Sequence, residues 1–171
     1  MRATRWVFWG LSVLYAVLVV NAAIELPDRV PTHWSGATSP DSWGSRGGTV
    51  VMMIGLGVII IGLFAGLQIL IPRNSRFTGI NIPNRDYWTA PENISRAREM
   101  LRVDLAVLGC LTVAFICALP PSLVSAAAAA DHALPGWFFV ALGVWLAAIL
   151  GYTVWMLAVR WRIPTDDQPG W

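Results

Sequence analysis

Residues 51–64 read VMMIGLGVIIIGLF, and this stretch decides the fold class. It contains no charged residue, and its apolar side chains do not alternate with polar ones. A helix needs about 20 mostly apolar residues to cross the hydrocarbon core of a bilayer, whereas a membrane-spanning strand shows alternation over about ten residues. The run therefore predicts a transmembrane helix, which extends over residues 50–71.

Three further stretches carry the same signal. The four predicted spans cover residues 6–24, 50–71, 103–119 and 137–159. Because backbone hydrogen bonds cannot be left open toward lipid, the expected fold is all-α, an integral membrane four-helix bundle with an ordered extracytoplasmic loop after the first helix. Residues 1–162 are predicted to form this membrane domain, and residues 163–171 a disordered cytoplasmic tail.

The composition of the whole chain agrees with a membrane location. Of its 171 residues, 56% are hydrophobic and only 13% are charged, and the mean hydropathy is +0.59. Soluble domains average roughly 25% charged residues, so a soluble globular enzyme and a disordered chain are both disfavoured. The net charge is only +2, which gives no general basic field, and we expect no nucleic-acid partner.

The arginines predict the orientation. Ten of the twelve lie in the N-terminus, the second loop and the tail, and the other two, Arg29 and Arg46, lie in the first loop. Cytoplasmic loops carry the excess of basic residues, so both termini of this multi-pass plasma-membrane protein are expected in the cytoplasm. A cleaved secretory signal is the weaker alternative, because the first apolar stretch is long and Asn21-Ala22-Ala23 is a poor cleavage signature.

The first loop is predicted to form a compact, ordered cap. It covers residues 25–48 and is rich in proline, glycine and serine, yet it carries both Trp34 and Trp43. A solvated linker rarely contains two tryptophans, so we expect this loop to pack on the outer membrane face or to dip into the interface.

The other two loops carry helix signals. In the second loop, Thr89 is a predicted N-cap and Glu92 lies at the spacing of a capping box, so a helix is expected to run from Pro91 into the third span. The third loop, residues 120–135, is expected to hold a short helical turn at its run of alanines.

Small residues on two spans predict helix packing. They are Gly55, Gly62 and Gly66 on the second span and Gly143, Ala147 and Gly151 on the fourth. Small side chains let helix backbones approach one another in a bilayer. We expect the second and fourth spans to contact each other through these faces, and a homodimer through the same faces is the alternative.

Charged residues near the third span suggest contacts at the membrane surface. Arg98 and Arg102 are four residues apart and share a helix face, which suits anionic lipid headgroups or a protein partner. A solvated face is the alternative. Asp104 lies at the mouth of the span and is expected to pair with one of these two arginines.

Residues that could carry chemistry are few. Cys110 and Cys117 are about 10 Å apart along one helix, beyond the Cα separation of about 7 Å that a disulfide allows, so they are predicted to be packing residues. His33, His132 and Asp41 fall on the predicted outer side and could supply a metal site by ligand type. Metal-binding spacings, nucleophile elbows and phosphate-binding loops are missing from the sequence, so we expect solvated histidines, no metal, no cofactor and no enzymatic activity.

Two loop motifs resemble a known family. The first-loop motif consists of Leu26-Pro27, Val30-Pro31-Thr32-His33-Trp34, Gly36 and Pro40-Asp41-Ser42-Trp43-Gly44-Ser45. It resembles the signature of domain-of-unknown-function family 1648, the small membrane domain found at the N-terminus of SdpI-type immunity proteins. In the second loop, Asn81-Ile82-Pro83-Asn84-Arg85-Asp86-Tyr87-Trp88 followed by Ala90-Pro91-Glu92 resembles the second conserved stretch of stand-alone members. The resemblance covers roughly residues 10–110.

This resemblance implies candidate sites rather than an activity. The biochemical activity of the family is not established, and the SdpI-type relatives are held to protect a cell from a secreted toxin peptide and to retain a cytoplasmic repressor at the membrane. The residues that transfer are Pro31, His33, Trp34, Asp41 and Trp43 as an outer ligand-binding set and Asn81, Pro83, Asn84, Tyr87 and Trp88 as an inner loop motif. The alternative is that the outer set only folds the cap.

The leading functional hypothesis is a non-enzymatic bacterial membrane protein. Its outer cap would sense or shield against an extracellular toxin peptide, and its inner loop would contact membrane lipids or a cytoplasmic regulator. An accessory structural subunit of a larger membrane complex is the alternative. A third and weaker hypothesis is an outer-face metal-dependent enzyme that uses His33, Asp41 and His132.

Overall fold

The structure is a computed structural model that describes residues 2–36, 39–73 and 81–164. Four of its helices are long and apolar enough to cross a membrane. They are Ala3–Glu25, Arg46–Leu70, Ile94–Ala128 and Gly136–Arg160. The prediction of an all-α, multi-pass membrane protein is confirmed. The predicted disordered tail lies, from residue 165 onward, outside the described residues.

Four long helical segments run in succession from one end of the bundle to the other. Helix α1 is Arg2–Glu25, and a hairpin of strands β1 (Arg29–His33) and β2 (Ser42–Ser45) leads into α2 (Arg46–Leu70), which ends in a 3₁₀ turn, Ile71–Arg73. The later helices are α3 (Arg85–Thr89), α4 (Ile94–Ile116), α5 (Leu119–Ala128) and α6 (Gly136–Trp155), which continues as a π-helical turn, Met156–Arg160. Four crossings return the chain to its starting side. We call the end with the start of α1 and the end of α6 the termini face, and the end with β1 and β2 the hairpin face.

Helices α1, α2 and α4 form the packed centre of the bundle, and each contacts the other two. Their shared core includes Phe8, Tyr15, Met53 and Val113, none of them more than 3% exposed. The hydroxyl of Tyr15 donates to the backbone carbonyl of Met53 at 2.7 Å, which satisfies a polar atom in apolar surroundings. Helix α6 packs on α4, and none of its residues is buried.

Close helix approach occurs at different glycines from the predicted ones. A methyl group at Gly57 would overlap the ring of Tyr15, and one at Gly109 would lie 3.1 Å from ring atoms of Phe8 and Phe64. Among the residues that the structure describes, no atom beyond the local helix backbone lies within 4 Å of the methyl position at Gly55, Gly62, Gly66, Gly143 or Gly151. The predicted contact between the second and fourth spans is wrong within the chain, because α6 packs on α4 instead. Ala147 is exposed beside these glycines, and the homodimer alternative stays a prediction.

The helix of the third span begins at Ile94 and not at Pro91. Thr89 is the last residue of α3 rather than an N-cap, and the backbone of Ala90 is extended, with φ −58° and ψ 145°. A residue that precedes proline disfavours the helical conformation, so Pro91 ends α3 and separates it from α4. Asn93 is the residue that precedes the new helix.

The third span is longer than the predicted residues 103–119. Helix α4 starts well before them, and α5 extends the helical segment to Ala128. Pro120 and Pro121 lie in the first turn of α5, where a missing N–H group is tolerated, and the alanines that follow are the best helix formers. The predicted third loop therefore shrinks to residues 129–135.

The two cysteines are free and lie at the crossing of α4 with α1. The Sγ atom of Cys110 lies 3.5 Å from the carbonyl oxygen of Thr4, and that of Cys117 lies 3.6 Å from the carbonyl oxygen of Leu11. A thiol is a small, weakly donating group, so these contacts fit the packing role that the sequence predicts.

Candidate functional site

The loop after α1 folds into an antiparallel β-hairpin at the hairpin face. Pro31 in β1 pairs with Trp43 in β2, and proline is tolerated here because a two-stranded ribbon consists of edge strands. Leu26 and Val30, at most 1% exposed, bury the base of the hairpin in the core shared with α1 and α4. Ser45 ends β2, and its side chain accepts a hydrogen bond from the third residue of α2 at 3.1 Å. The hairpin is therefore fixed at its base and continuous with two membrane helices.

His132 ties the hairpin to the third loop. The indole Nε1–H of Trp34 donates to the carbonyl of His132 at 3.0 Å. The ring of Trp43 meets the ring of His132 edge-on, with centroids 4.9 Å apart. His132 itself has a left-handed backbone, with φ 54°, and its Nδ1 lies 3.2 Å from the carbonyl oxygen of Ala126. Both tryptophans of the predicted ligand-binding set therefore anchor the cap.

The hairpin also carries an exposed hydrogen-bonded cluster of His33, Ser35 and Asp41. Nδ1 of His33 lies 2.5 Å from Oδ1 of Asp41. The other carboxylate oxygen accepts hydrogen bonds from the backbone N–H of Ser35, at 2.9 Å, and from its hydroxyl. The side chains of His33 and Asp41 remain 67% and 40% exposed. The hydrogen bond to His33 holds the pKa of Asp41 below its ordinary value, so the carboxylate stays charged in mildly acidic solution.

The order of contacts in this cluster limits its chemistry. Asp41 lies between the imidazole of His33 and the hydroxyl of Ser35. A nucleophilic serine needs the imidazole as its direct neighbour, so these residues do not form a serine–histidine–aspartate relay. The cluster instead presents a preorganised carboxylate–imidazole pair to solvent.

The structure does not bring His33, Asp41 and His132 together in the way that the weaker hypothesis of an outer metal site requires. The ring of His132 is engaged by Trp43 and by the carbonyl of Ala126, whereas the other two residues pair with each other. Within residues 2–36, 39–73 and 81–164, no group of three His, Cys, Asp or Glu side chains is placed to hold a metal ion.

A second polar cluster lies at the termini face, and it is buried. Asp104 of α4 is 1% exposed. Its Oδ1 accepts a hydrogen bond from the hydroxyl of Tyr152 at 2.8 Å and lies 2.6 Å from Nε of Arg160. Its Oδ2 accepts a hydrogen bond from Nε1 of Trp161 at 3.0 Å. A charge in apolar surroundings is tolerated when it is paired and hydrogen-bonded, and both carboxylate oxygens meet this condition.

The inner loop motif forms one wall of this buried cluster. Nδ2 of Asn84 and Nε1 of Trp88 both donate to the backbone carbonyl of Trp161, at 2.9 and 3.1 Å. The rings of Trp88 and Trp161 meet edge-on, with centroids 5.5 Å apart, and Tyr87 packs edge-on against Trp88. Of the other two motif residues, Asn81 is exposed and Pro83 is half-buried. The motif therefore ties the second loop to the end of the fourth span.

Sequence reasoning missed Tyr152, Arg160 and Trp161 as members of the cluster around Asp104. It sought the partner of the carboxylate in the second loop, but Arg102 lies 3.5 Å from Glu99 and the ion pair comes from the fourth span. Tyr152 and Arg160 are eight residues apart, which is about two helical turns, so both project from similar sides of the helix. That spacing, together with a carboxylate near the membrane that requires partners, is the signal that could have identified them.

Comparison with known proteins bears on the hairpin face. Residues 7–58 match the family model described as "Domain of unknown function (DUF1648)". No curated protein and no solved structure matches the chain. The match covers most of α1, the hairpin and the first half of α2, and it ends before the second-loop motif, so the resemblance over residues 10–110 is confirmed for its first part only. The segment that builds the hairpin and its two supporting helices is therefore similar to the DUF1648 family.

Proposed function

We propose that this protein is a non-enzymatic bacterial plasma-membrane protein whose hairpin binds an extracellular, membrane-active toxin peptide. The observation that carries the proposal is the exposed pair of His33 and Asp41. The pair lies on a hairpin that is fixed to the third loop by the hydrogen bond from Trp34 to His132. Its charged carboxylate faces solvent, whereas the carboxylate of Asp104 has its partners inside the bundle. Ammonium, guanidinium and backbone N–H groups of a cationic peptide are complementary to an exposed carboxylate.

An aromatic surface lies on the same hairpin. Trp43 is half-buried, and the guanidinium carbon of Arg29 lies 4.9 Å from its ring centroid. Tryptophan is suited to the level of the lipid headgroups, where amphipathic peptides also lie. The hairpin thus combines a charged and an aromatic surface, which are the two kinds of contact that a cationic, amphipathic peptide can make.

The distribution of arginine supports an extracellular hairpin. Arg29 and Arg46 are the two arginines of the first loop, and the other ten belong to the terminal segments and the second loop. Basic residues accumulate on the cytoplasmic side of membrane proteins, so the termini face is the cytoplasmic one in this proposal.

A cytoplasmic regulator would meet the second-loop motif at the termini face. The hydrophobic cluster that contains Val30 of the hairpin also contains Phe8 of α1 and Val113 of α4. Helix α4 carries Asp104 of the buried cluster, and its Val113 belongs to the same hydrophobic cluster as the base of the hairpin. Packed cores deform little, and we propose that a displacement of the hairpin by its ligand reaches the loop at Asn81 through α4.

The test is protection of a peptide-sensitive bacterium that expresses the chain. The wild type is expected to raise the minimum inhibitory concentration of at least one cationic membrane-active peptide, and Asp41→Asn is expected to remove the gain. Glu25→Gln is the matched control, because it removes an exposed negative charge at the end of α1 and leaves the cluster intact. Absence of protection by the wild type, or equal loss in both variants at equal membrane levels, contradicts the proposal.

A second candidate function is that of an accessory subunit of a larger membrane complex. It is favoured by α6, whose membrane-spanning window has 0% of its residues buried within the chain. The smooth ladder of Gly143, Ala147 and Gly151 lies exposed on this helix. Purification in a mild detergent distinguishes the two functions. A stoichiometric partner that is lost in Gly143→Leu supports the subunit, and a lone chain or a homodimer removes this candidate.

A further inference from the structure

A cavity of about 610 Å³ opens between α1, α2 and α4 near the termini face. Most of its wall is apolar and comes from all three helices, namely Phe8, Trp9, Ala65, Ile69, Val103 and Ala106. Pockets that hold small ligands have volumes of roughly 300–1,000 Å³ and mainly apolar walls. The cavity is therefore large enough for part of an amphiphilic molecule, and it lies at the opposite end of the bundle from the His33–Asp41 pair.

Three arginines line the same cavity, each from a different element. Arg5 comes from α1, Arg73 from the turn after α2, and Arg102 from α4. The cavity lining includes no carboxylate among the described residues. Outside the lining, Oε2 of Glu99 lies 3.5 Å from Nη1 of Arg102. Guanidinium groups bind phosphate through paired, charge-assisted hydrogen bonds. An anion is the ligand that this arrangement favours.

A polar atom that lacks a partner points to the same chemistry. Gln68 lines the cavity, and its Nε2 is buried without a hydrogen-bond acceptor among the described parts of the chain. A buried donor without a partner is unfavourable, and an oxygen-rich headgroup in the cavity would satisfy it.

An apolar groove begins beside the cavity. Thr4 lines both, and the groove, of about 440 Å³, follows α1 from Ala3 to Leu11 and α4 from Val107 to Ala114. It extends about 12 Å along α1 away from the termini face, into the apolar part of the bundle. Its length and lining suit a hydrocarbon chain.

We propose that the cavity binds the phosphate headgroup of an anionic phospholipid from the surrounding bilayer, with one acyl chain in the apolar groove. Arg5, Arg73 and Arg102 hold the phosphate oxygens, and Gln68 donates to the headgroup. A free phosphate ion would use the arginines but leave the groove empty, so the groove favours the lipid. This site is independent of peptide binding at the hairpin.

The test is native mass spectrometry of the detergent-purified protein with added lipid. The wild type is expected to retain one phosphatidylglycerol in preference to phosphatidylcholine. The double variant Arg5→Gln/Arg73→Gln is expected to lower its affinity for phosphatidylglycerol at least about tenfold, because it removes two charge-assisted contacts. The matched control is Arg85→Gln/Arg162→Gln, which removes two exposed positive charges from the same face outside the cavity and is expected to change affinity little.

A variant of the groove separates a lipid from a free anion. Ala114→Trp fills the exposed end of the groove and is expected to weaken phosphatidylglycerol binding while the protein still elutes as one monodisperse peak. Displacement of the lipid by millimolar inorganic phosphate would identify the cavity as a free-anion site and overturn the proposal. Equal binding of phosphatidylcholine, or equal weakening in the two arginine double variants, would overturn it as well.

Discussion

The two ends of this bundle use tryptophan in the same way and aspartate in opposite ways. At the hairpin face, Trp34 donates to a backbone carbonyl of the third loop, and at the termini face Trp88 donates to a backbone carbonyl at the end of the fourth span. Both bonds join segments that are distant in sequence. The side chain of Asp41, however, is 40% exposed, whereas Asp104 is 1% exposed and has three polar partners.

The difference separates a structural carboxylate from an available one. The partners of Asp104 lie on the fourth span and on the residue that follows it, and they bind both carboxylate oxygens, so this carboxylate is engaged within the bundle. The partners of Asp41, His33 and Ser35, lie within eight residues of it and fix its orientation without covering it. The carboxylate of Asp104 therefore holds segments of the termini face together, whereas the carboxylate of Asp41 is accessible at the hairpin face.

The largest expected effect is at Asp104. Asp104→Ala leaves Arg160, Tyr152 and Trp161 without their shared acceptor, and breaking a buried ion pair in this way costs about 3–5 kcal/mol of stability. Asp41→Ala is expected to change stability little, because the hydrogen bonds of Asp41 lie on the exposed hairpin. The measurement is the free energy of unfolding from titration with sodium dodecyl sulfate in mixed micelles, and similar losses in the two variants would remove the contrast between the ends.

The helix contact midway between the two ends gives the next largest effect. Gly57→Ala forces the ring of Tyr15 to move and is expected to destabilise the protein by about 1–3 kcal/mol, the usual range for overpacking. Gly55→Ala, two residues away and facing open space, serves as the control and is expected to be neutral or stabilising by up to about 1 kcal/mol. Heating in detergent followed by size-exclusion chromatography compares them, and equal melting temperatures would mean that α1 and α2 do not approach closely at Tyr15.

Removing one indole donor at each end sharpens the comparison of the anchors. Trp88→Phe deletes a donor that is 1% exposed, and the expected loss is about 1–3 kcal/mol. Trp34→Phe deletes the equivalent donor of a half-buried residue, with an expected loss of about 0.5–1.5 kcal/mol. In the same micelle titration, Trp88→Phe should lose more unfolding free energy than Trp34→Phe. A larger loss in Trp34→Phe would contradict the prediction that the more buried indole contributes more to stability.

The smallest expected effect is the titration of Asp41. Because its pKa is lowered in the folded protein by the hydrogen bond to His33, its contribution to stability is complete above the ordinary aspartate pKa and is lost as the pH falls through the lower, folded value. His33→Ala is expected to raise the pKa of Asp41 toward 3.8, whereas Glu25→Gln is expected to leave it unchanged. NMR of the Asp41 carboxyl carbon in nanodiscs measures the midpoint of its titration. A midpoint that is the same in the wild type and in His33→Ala would show that the His33–Asp41 pair is not formed in solution.

Local sequence predicted the helices better than it predicted their contacts. The run over residues 51–64 is apolar enough to require burial in lipid whatever it packs against, so its helix follows from composition and length. The start of α4 did not follow in the same way, because Pro91 interrupts the helix that a capping pattern at Thr89 suggests. The packed glycines were also missed, since small residues at regular spacing occur both on faces that contact helices and on faces that do not.

The candidate site was predicted in part. The hairpin motif drew attention to His33 and Asp41, which the structure does bring together, and to Trp34, which anchors the hairpin instead. No pattern within the first loop could reveal that His132, almost a hundred residues later, accepts the bond from that indole. Likewise, the partner of Asp104 lies more than fifty residues away on another span.

By itself, the sequence determined that four helices are long and apolar enough to cross a membrane and that an ordered loop follows the first of them, because hydropathy and residue spacing are properties of short segments. Only the tertiary structure decided which carboxylate is buried and which is exposed, which glycines touch a ring, and which three arginines share a cavity. Those outcomes depend on the order in which helices pack, and in a bilayer, where every helix surface is apolar, the hydrophobic pattern does not distinguish one packing from another.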